Sequence, residues 1–275
     1  MTLKFKSKIV LDIIMFILLL LCMSYSLIGT KWHEYLGIIL CIGFIIHCIL
    51  QKNYFAKIIS LKYTLYNSFI LIINLLTFLT MFGLIISSLI FLDYIPLFLK
   101  TSFPNLINFA RTLHLLSAYW GFILISMHIG LHWQIFYNLI TKYTKDKLSY
   151  SLNSKLILWI IFLYGLNNFI HYDLISYMLL QNNFVYFNPS QSLLSFFVDY
   201  LSIVVTFIIL ANYLRKSFLN LQTKDCILSH ILYKLDKKLN IQEVIIMKKN
   251  LFTAKFIIND LFSNGLQCSS RTNSR

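Results

Sequence analysis

Six long apolar stretches dominate this chain and leave it few folds to choose from. They run about residues 9–29, 33–50, 64–92, 111–140, 155–180 and 191–214. About 20 apolar residues wound as a helix span the roughly 30 Å hydrocarbon core of a bilayer. Only 12% of the residues are charged, about half the share of a soluble domain. The expected fold is therefore all-α: a polytopic membrane helical bundle of about six transmembrane spans. The fifth span is the weakest, because Asn167, Asn168, His171 and Asp173 interrupt its second half. It is expected to kink or to leave the bilayer early.

With 3 prolines and 8 glycines, no linker-like stretch divides the apolar part. Residues 1–216 read as one transmembrane domain and 217–275 as a cytoplasmic tail. In the tail, segments such as LSHILYKLDKKL suit amphipathic helices at a membrane surface, and the final SSRTNSR suits disorder. Lys4, Lys6 and Lys8 precede the first apolar run, but no small-residue cleavage site follows. That run reads as a retained helix.

The net charge of +14 would raise nucleic-acid binding in a soluble protein. Here the cations lie between apolar spans, where they report topology instead. Lys4, Lys6, Lys8, Lys52, Lys57, Lys62, Lys142, Lys145, Lys147, Lys155, Arg215 and Lys216 fall on one side. Lys31, Lys100 and Arg111, with Asp93 and Asp173, fall on the other. Both termini are accordingly expected in the cytoplasm.

Seven histidines occur, and four of them are regularly placed. His33 and His47 are fourteen residues apart in the second span, and His114 and His128 are fourteen apart in the fourth. In a helix that step rises roughly 21 Å and falls only about 40° short of whole turns. Each pair thus shares a helix face, with one imidazole near either side of the membrane. The second and fourth spans run in the same direction, since one span intervenes. This pairs His33 with His114 on the outer side and His47 with His128 on the inner side. A histidine within the bilayer points to function, although a lone one more simply bonds a neighbouring carbonyl or hydroxyl.

Haem iron takes two axial ligands, and neutral imidazole suits it. Two stacked histidine couples form the ligand set for two non-covalent b-type haems within a four-helix core. With both axial positions filled, electron transfer is favoured over oxygen chemistry. A flat macrocycle between helices calls for small residues nearby. Gly37 follows His33 by four, Gly43 precedes His47 by four, and Gly121 follows His114 by seven. These also suit ordinary helix contacts. Lys31 and Arg111 lie within three residues of the outer histidines, where they could pair with haem propionates or simply anchor the helices at the interface. His132, one turn after His128, is open to three roles: replacing His128 as ligand, bonding a propionate, or moving a proton. Trp120 suits either the aromatic belt or a place against a haem. His171 and His230 read as polar residues outside the ligand set.

The five cysteines, Cys22, Cys41, Cys48, Cys226 and Cys268, form neither CxxC nor CxxCH. This argues against a zinc ribbon and covalent haem. No P-loop, G-x-S-x-G, H-E-x-x-H or G-x-G-x-x-G occurs. No extramembrane segment is large enough to bind NADH or flavin, so a redox enzyme partner would be another chain. The competing reading is a metal or proton transporter using His128 and His132. Its only candidate intramembrane carboxylates are Asp12 and Asp199.

The run LDIIMFILLLLCMSYSLIGTKWHEYLG, with GFIIHCIL after it, resembles the start of the flavinylation-associated cytochromes of bacterial membranes. RTLHLLSAYWGFILISMHIGLHW is similar to their second histidine helix, and FVYFNPSQSLLSFFVDYLSIV to their final span. The resemblance covers about residues 9–216. It implies a haem-b membrane cytochrome working with extracytoplasmic flavin-bearing proteins. The matching histidines are His33, His47, His114, His128 and His132. The chain departs from the family pattern at CILQKN, where Asn53 is displaced, and at FGLIISS in the third span.

The combined expectation is a di-haem electron-transfer subunit in the bacterial cytoplasmic membrane rather than a self-contained enzyme. A quinol or a cytoplasmic reductase would supply electrons at the inner haem, and an extracytoplasmic flavoprotein would take them at the outer one.

Overall fold

The computed structural model describes residues 3–58, 64–91, 104–144, 152–182 and 191–238, and among these it is helical with no strands. The chain divides into two compact units. One comprises Met1–Tyr63 with Asn67–Leu214, and the other Thr64–Tyr66 with Arg215–Arg275. The candidate site lies wholly within the first unit.

The helices are α1 (Leu3–Met23), α2 (Tyr25–Ile28), α3 (Thr30–Leu50), α4 (Lys52–Ile58), α5 (Leu65–Phe91), α6 (Pro104–Leu131), α7 (Trp133–Thr144), α8 (Leu152–His171), α9 (Leu174–Met178) and α10 (Leu193–Lys238). Among the described residues, four stretches are long and apolar enough to cross a bilayer: Thr30–Leu50, Leu65–Phe91, Asn105–Leu131 and Leu193–Ser229. By length and composition the chain is a multi-pass membrane protein.

The helices differ from the expected spans at instructive points. The first apolar run is not one helix: α1 stops at Met23, Ser24 turns back to bond Leu21 O at 2.7 Å, and Gly29 takes a φ of 81° before α3 begins. Lys6, Lys8 and Asp12 interrupt the first half of α1, which is not among the four long apolar stretches. The fourth span begins earlier than expected, with Pro104 at its first turn, where a missing N–H costs nothing. It ends earlier too, at Leu131, and α7 restarts after His132.

The fifth span does not continue to residue 180. Helix α8 stops at His171, and Asp173 enters the left-handed region (φ 50°). Its apolar part, among the residues whose side chains are described, is Leu156–His171. Past residue 216, α10 continues without a break to Lys238 in place of separate short helices. The expected disorder at the C-terminus, the side chain of His230, and Lys62, Asp93, Lys100, Lys145 and Lys147 lie outside the described residues.

Large apolar side chains cover the outside, as a lipid-facing surface requires. On α3, Ile38, Ile39, Ile42, Ile45, Ile46 and Ile49 are exposed, while Leu40, Gly43 and Phe44 are buried. Lipid tails are as apolar as leucine, so burial alone does not drive helices together in a bilayer, and close packing and interhelical hydrogen bonds must do so. Both are present. A Cβ on Gly130 would lie 2.6 Å from Ile208 O of α10, and one on Gly165 would collide with Ser202 O of the same helix. Thr206 Oγ1 donates to Phe162 O at 3.1 Å, and Asn168 Nδ2 donates to Ser202 Oγ at 3.1 Å. Against α6, Trp120 Nε1 donates to Met178 O at 2.9 Å and Tyr119 stacks on Tyr177.

Candidate functional site

The four regularly spaced histidines lie on α3 and α6, and the neighbouring helices α1 and α5 hold them. Helix α1 runs antiparallel to α3: Lys8 Nζ bonds Leu50 O (2.8 Å) and Gln51 Oε1 (3.0 Å) at one end, and Cys22 meets His33 at the other. Helix α5 runs antiparallel to α6, with a seam along Asn74, Thr80, Gly83 and Ser87 against His128, Gly121, Ser117 and His114.

Each imidazole uses its Nδ1 in the same way. His33 Nδ1 lies 3.0 Å from Cys22 O. His47 Nδ1 lies 2.7 Å from Asp12 Oδ1. His114 Nδ1 lies 3.0 Å from Ser87 Oγ. His128 Nδ1 lies 2.8 Å from Asn74 Oδ1.

The chemistry of these partners fixes the tautomer. A backbone carbonyl, a carboxylate and an amide oxygen only accept, so His33, His47 and His128 each donate from Nδ1. Ser87 already gives its hydroxyl proton to Leu84 O at 3.0 Å, so it too accepts from His114. In a neutral ring the proton on Nδ1 leaves a lone pair on Nε2. Metal-binding histidines typically show this arrangement, in which a hydrogen bond from the other ring nitrogen sets the tautomer and the orientation.

Local structure explains why the partners are available. Helix α1 ends at Met23, so Cys22 O is among the last carbonyls that have no partner within the helix. His33 satisfies it. Asn74 is held in turn, its Nδ2 donating to Tyr54 OH at 2.6 Å, which directs Oδ1 toward His128. Ser87 is fully buried. An imidazole N–H left unpaired in such surroundings would cost about 1–3 kcal/mol.

Of the two sequence-predicted couples, one is brought into ring contact. The rings of His33 and His114 lie with centroids 6.0 Å apart and planes at 65°. Metal–imidazole bonds of about 2 Å, with about 1 Å from each nitrogen to its ring centre, place two ligands of one metal about 6 Å apart. This couple therefore offers two nitrogen donors at a ring separation compatible with one shared metal. Tyr25 packs edge-on against His33 at 5.1 Å and Phe91 against His114 at 5.9 Å, closing this end with aromatic rings. His47 and His128 are coupled only through the field between them, and the ring packed against His128 is that of His132. Helices α3 and α6 thus run the same way, with the two couples at different depths.

His132 stands at the break between α6 and α7, its ring 4.8 Å from that of His128. It sits beside the inner couple, while His128 carries the Asn74 bond. No atom lies within 4 Å of a Cβ built on Gly37, whereas Gly121 faces Thr80 Oγ1 at 3.4 Å and Gly43 faces Met15 at 3.1 Å. Gly37 alone of the three borders open space; the other two serve helix contacts. Lys31 and Arg111 are exposed at the His33–His114 end. Trp120 is turned to α9 by its bond to Met178 O. Asp199 accepts from Tyr164 (2.5 Å) and Asn168 (3.3 Å), which tie α8 to α10, and from Tyr172 (2.6 Å) and Gln191 (3.5 Å) beside them, all neutral donors.

The residues that sequence reasoning missed are the supports Cys22, Asn74 and Ser87, and the pairing of Asp12 with His47. Two of these carried a signal: Asp12 and Asn74 are strongly polar residues within apolar helices, where such groups are by default functional. Comparison with protein-family models, with curated proteins and with solved structures finds no match to this chain.

Proposed function

We propose that this chain is a membrane cytochrome, of the flavinylation-associated type its sequence resembles, that carries electrons across the bacterial cytoplasmic membrane. His33 with His114, and His47 with His128, would hold two b-type haems, one at each level of the bundle. Helices α1 and α8 would complete about six spans, with both termini in the cytoplasm. The observation that carries this reading is the fourfold pattern of Nδ1 bonds, each from a separate support and each leaving Nε2 for a metal.

Bound haem supplies a one-electron ferric/ferrous couple. The protein's part is to hold the imidazoles neutral and oriented and to keep water away with aromatic and aliphatic neighbours. Lys31 and Arg111, exposed at the His33–His114 end, would pair with the haem propionates. The donor would be a quinol or a cytoplasmic reductase, and the acceptor an extracytoplasmic flavin-bearing protein. His132, beside the inner couple, is suited to bonding a propionate.

The transporter reading gains less support. Among the described residues no group of three or more His, Cys, Asp or Glu is placed to hold a metal ion. Asp12 is engaged by His47, and Asp199 by Tyr164, Asn168, Tyr172 and Gln191.

The test is spectroscopic. Protein purified from haem-replete cells is expected to show a b-type α-band on dithionite reduction, unshifted by carbon monoxide because both axial positions are filled. A colourless protein that transports divalent metal would overturn the proposal.

A further inference from the structure

The four supports are alike in geometry but not in charge. His33 donates to a backbone carbonyl, His114 to a hydroxyl and His128 to an amide. Only His47 donates to a carboxylate, Asp12, and at 2.7 Å its bond is the shortest of the four. Shortening is expected when the acceptor carries charge. Lys8, one turn before Asp12, does not offset that charge by direct pairing, since its ammonium bonds Leu50 O and Gln51 Oε1. Lys31 and Arg111, at the opposite couple, are exposed, whereas Asp12, with 39% of its side chain exposed, bonds its histidine directly.

A carboxylate on the far nitrogen of a ligating imidazole raises the ligand's basicity. A more basic ligand stabilises the more positively charged metal state. From this asymmetry we infer that Asp12 acts through His47 as a positioning and potential-setting residue, making the haem of the His47–His128 couple the lower-potential one. The inference rests on the di-haem reading above. One electron leaves the His47–His128 couple as one is gained at the His33–His114 couple, and no bond forms or breaks. The Nδ1 protons stay where they are. With both haems bound, transfer would run downhill from the couple supported by Asp12 to the couple supported by Cys22 O and Ser87. With the termini cytoplasmic, that direction is outward, toward an extracytoplasmic acceptor.

A redox titration of the purified full-length protein, followed at the α-band, tests this. Wild type is expected to show two midpoints. Asp12→Asn keeps a hydrogen-bond acceptor but removes the charge; it is expected to raise the lower midpoint, leave the upper one in place and retain both haems. Asn74→Asp adds a carboxylate behind His128 of the same couple and is expected to lower that same midpoint further. The inference is overturned if Asp12→Asn moves the upper midpoint or neither. Should Asp12→Asn lose its haem, Asn74→Asp decides, and an unchanged or raised lower midpoint there overturns the inference. A wild-type protein without haem instead overturns the functional reading beneath it.

Discussion

Ser87 has one hydroxyl proton and two neighbours that need it placed correctly. By donating to Leu84 O it becomes an acceptor for His114, and the imidazole is left with its lone pair on Nε2. The same result is reached at His33 by an unpaired helix-end carbonyl, at His47 by a carboxylate and at His128 by an amide that Tyr54 orients. Four different chemistries give one tautomer, which a set of merely satisfied buried histidines would not require. Removing a support leaves the ligand in place but free to turn, and losses of this kind typically weaken metal binding about 10- to 100-fold. Ser87→Ala is therefore expected to weaken haem retention at the His33–His114 couple by that factor, read by haem transfer to apomyoglobin, while Ser88→Ala leaves it unchanged. Equal loss in both variants would refute a specific role for Ser87.

At the scale of helices, the apolar runs and the fourteen-residue spacing were legible because both follow from properties of one helix. A run of about 20 apolar residues and a repeat near whole turns can be read without knowing what lies alongside. The supports were not legible, because Cys22 reaches His33, and Asn74 reaches His128, only once neighbouring helices have a depth and a rotation. The break at His132 was hidden for a related reason: LHW contains no proline or glycine, and the nearby Gly130 lies inside α6, where it is packed against α10. The polar signal in α8 was read correctly as a weakness of the span, and its cause is now specific. Asn168 and Tyr164 of α8 bond Asp199 and Ser202 of α10, and Tyr172, just past the end of α8, bonds Asp199 too.

Glycine tests that seam. A Cβ on Gly165 would collide with the α10 backbone at Ser202, whereas one on Gly37 meets nothing within 4 Å. Gly165→Val is expected to destabilise the protein by about 1–3 kcal/mol through overpacking, seen as a lower midpoint of thermal unfolding in detergent. Gly37→Ala is expected to be neutral or to stabilise by up to about 1 kcal/mol. Equal unfolding midpoints for wild type and Gly165→Val would show that α8 does not depend on this close approach.

For the whole molecule, the chain's composition and its long apolar helices agree on a multi-pass membrane protein. Lysine placement adds a sidedness that can be checked directly. Cysteine introduced at Lys52 or Lys57 is expected to be shielded from an impermeant maleimide in intact cells and labelled in inverted vesicles, and cysteine at Lys31 the reverse. Labelling of all three from the same side would contradict a membrane-crossing α3.

The pairing of the four histidines is the claim on which the account stands, and counting haem in alanine variants measures it most directly. By pyridine haemochrome, wild type is expected to hold two haems per chain and His33→Ala or His114→Ala one. The double variant His33→Ala/His114→Ala is expected to hold one as well, since both residues serve the same iron, whereas His33→Ala/His47→Ala is expected to hold none. A double variant at positions 33 and 114 that loses both haems, or one at 33 and 47 that keeps a haem, would contradict the pairing.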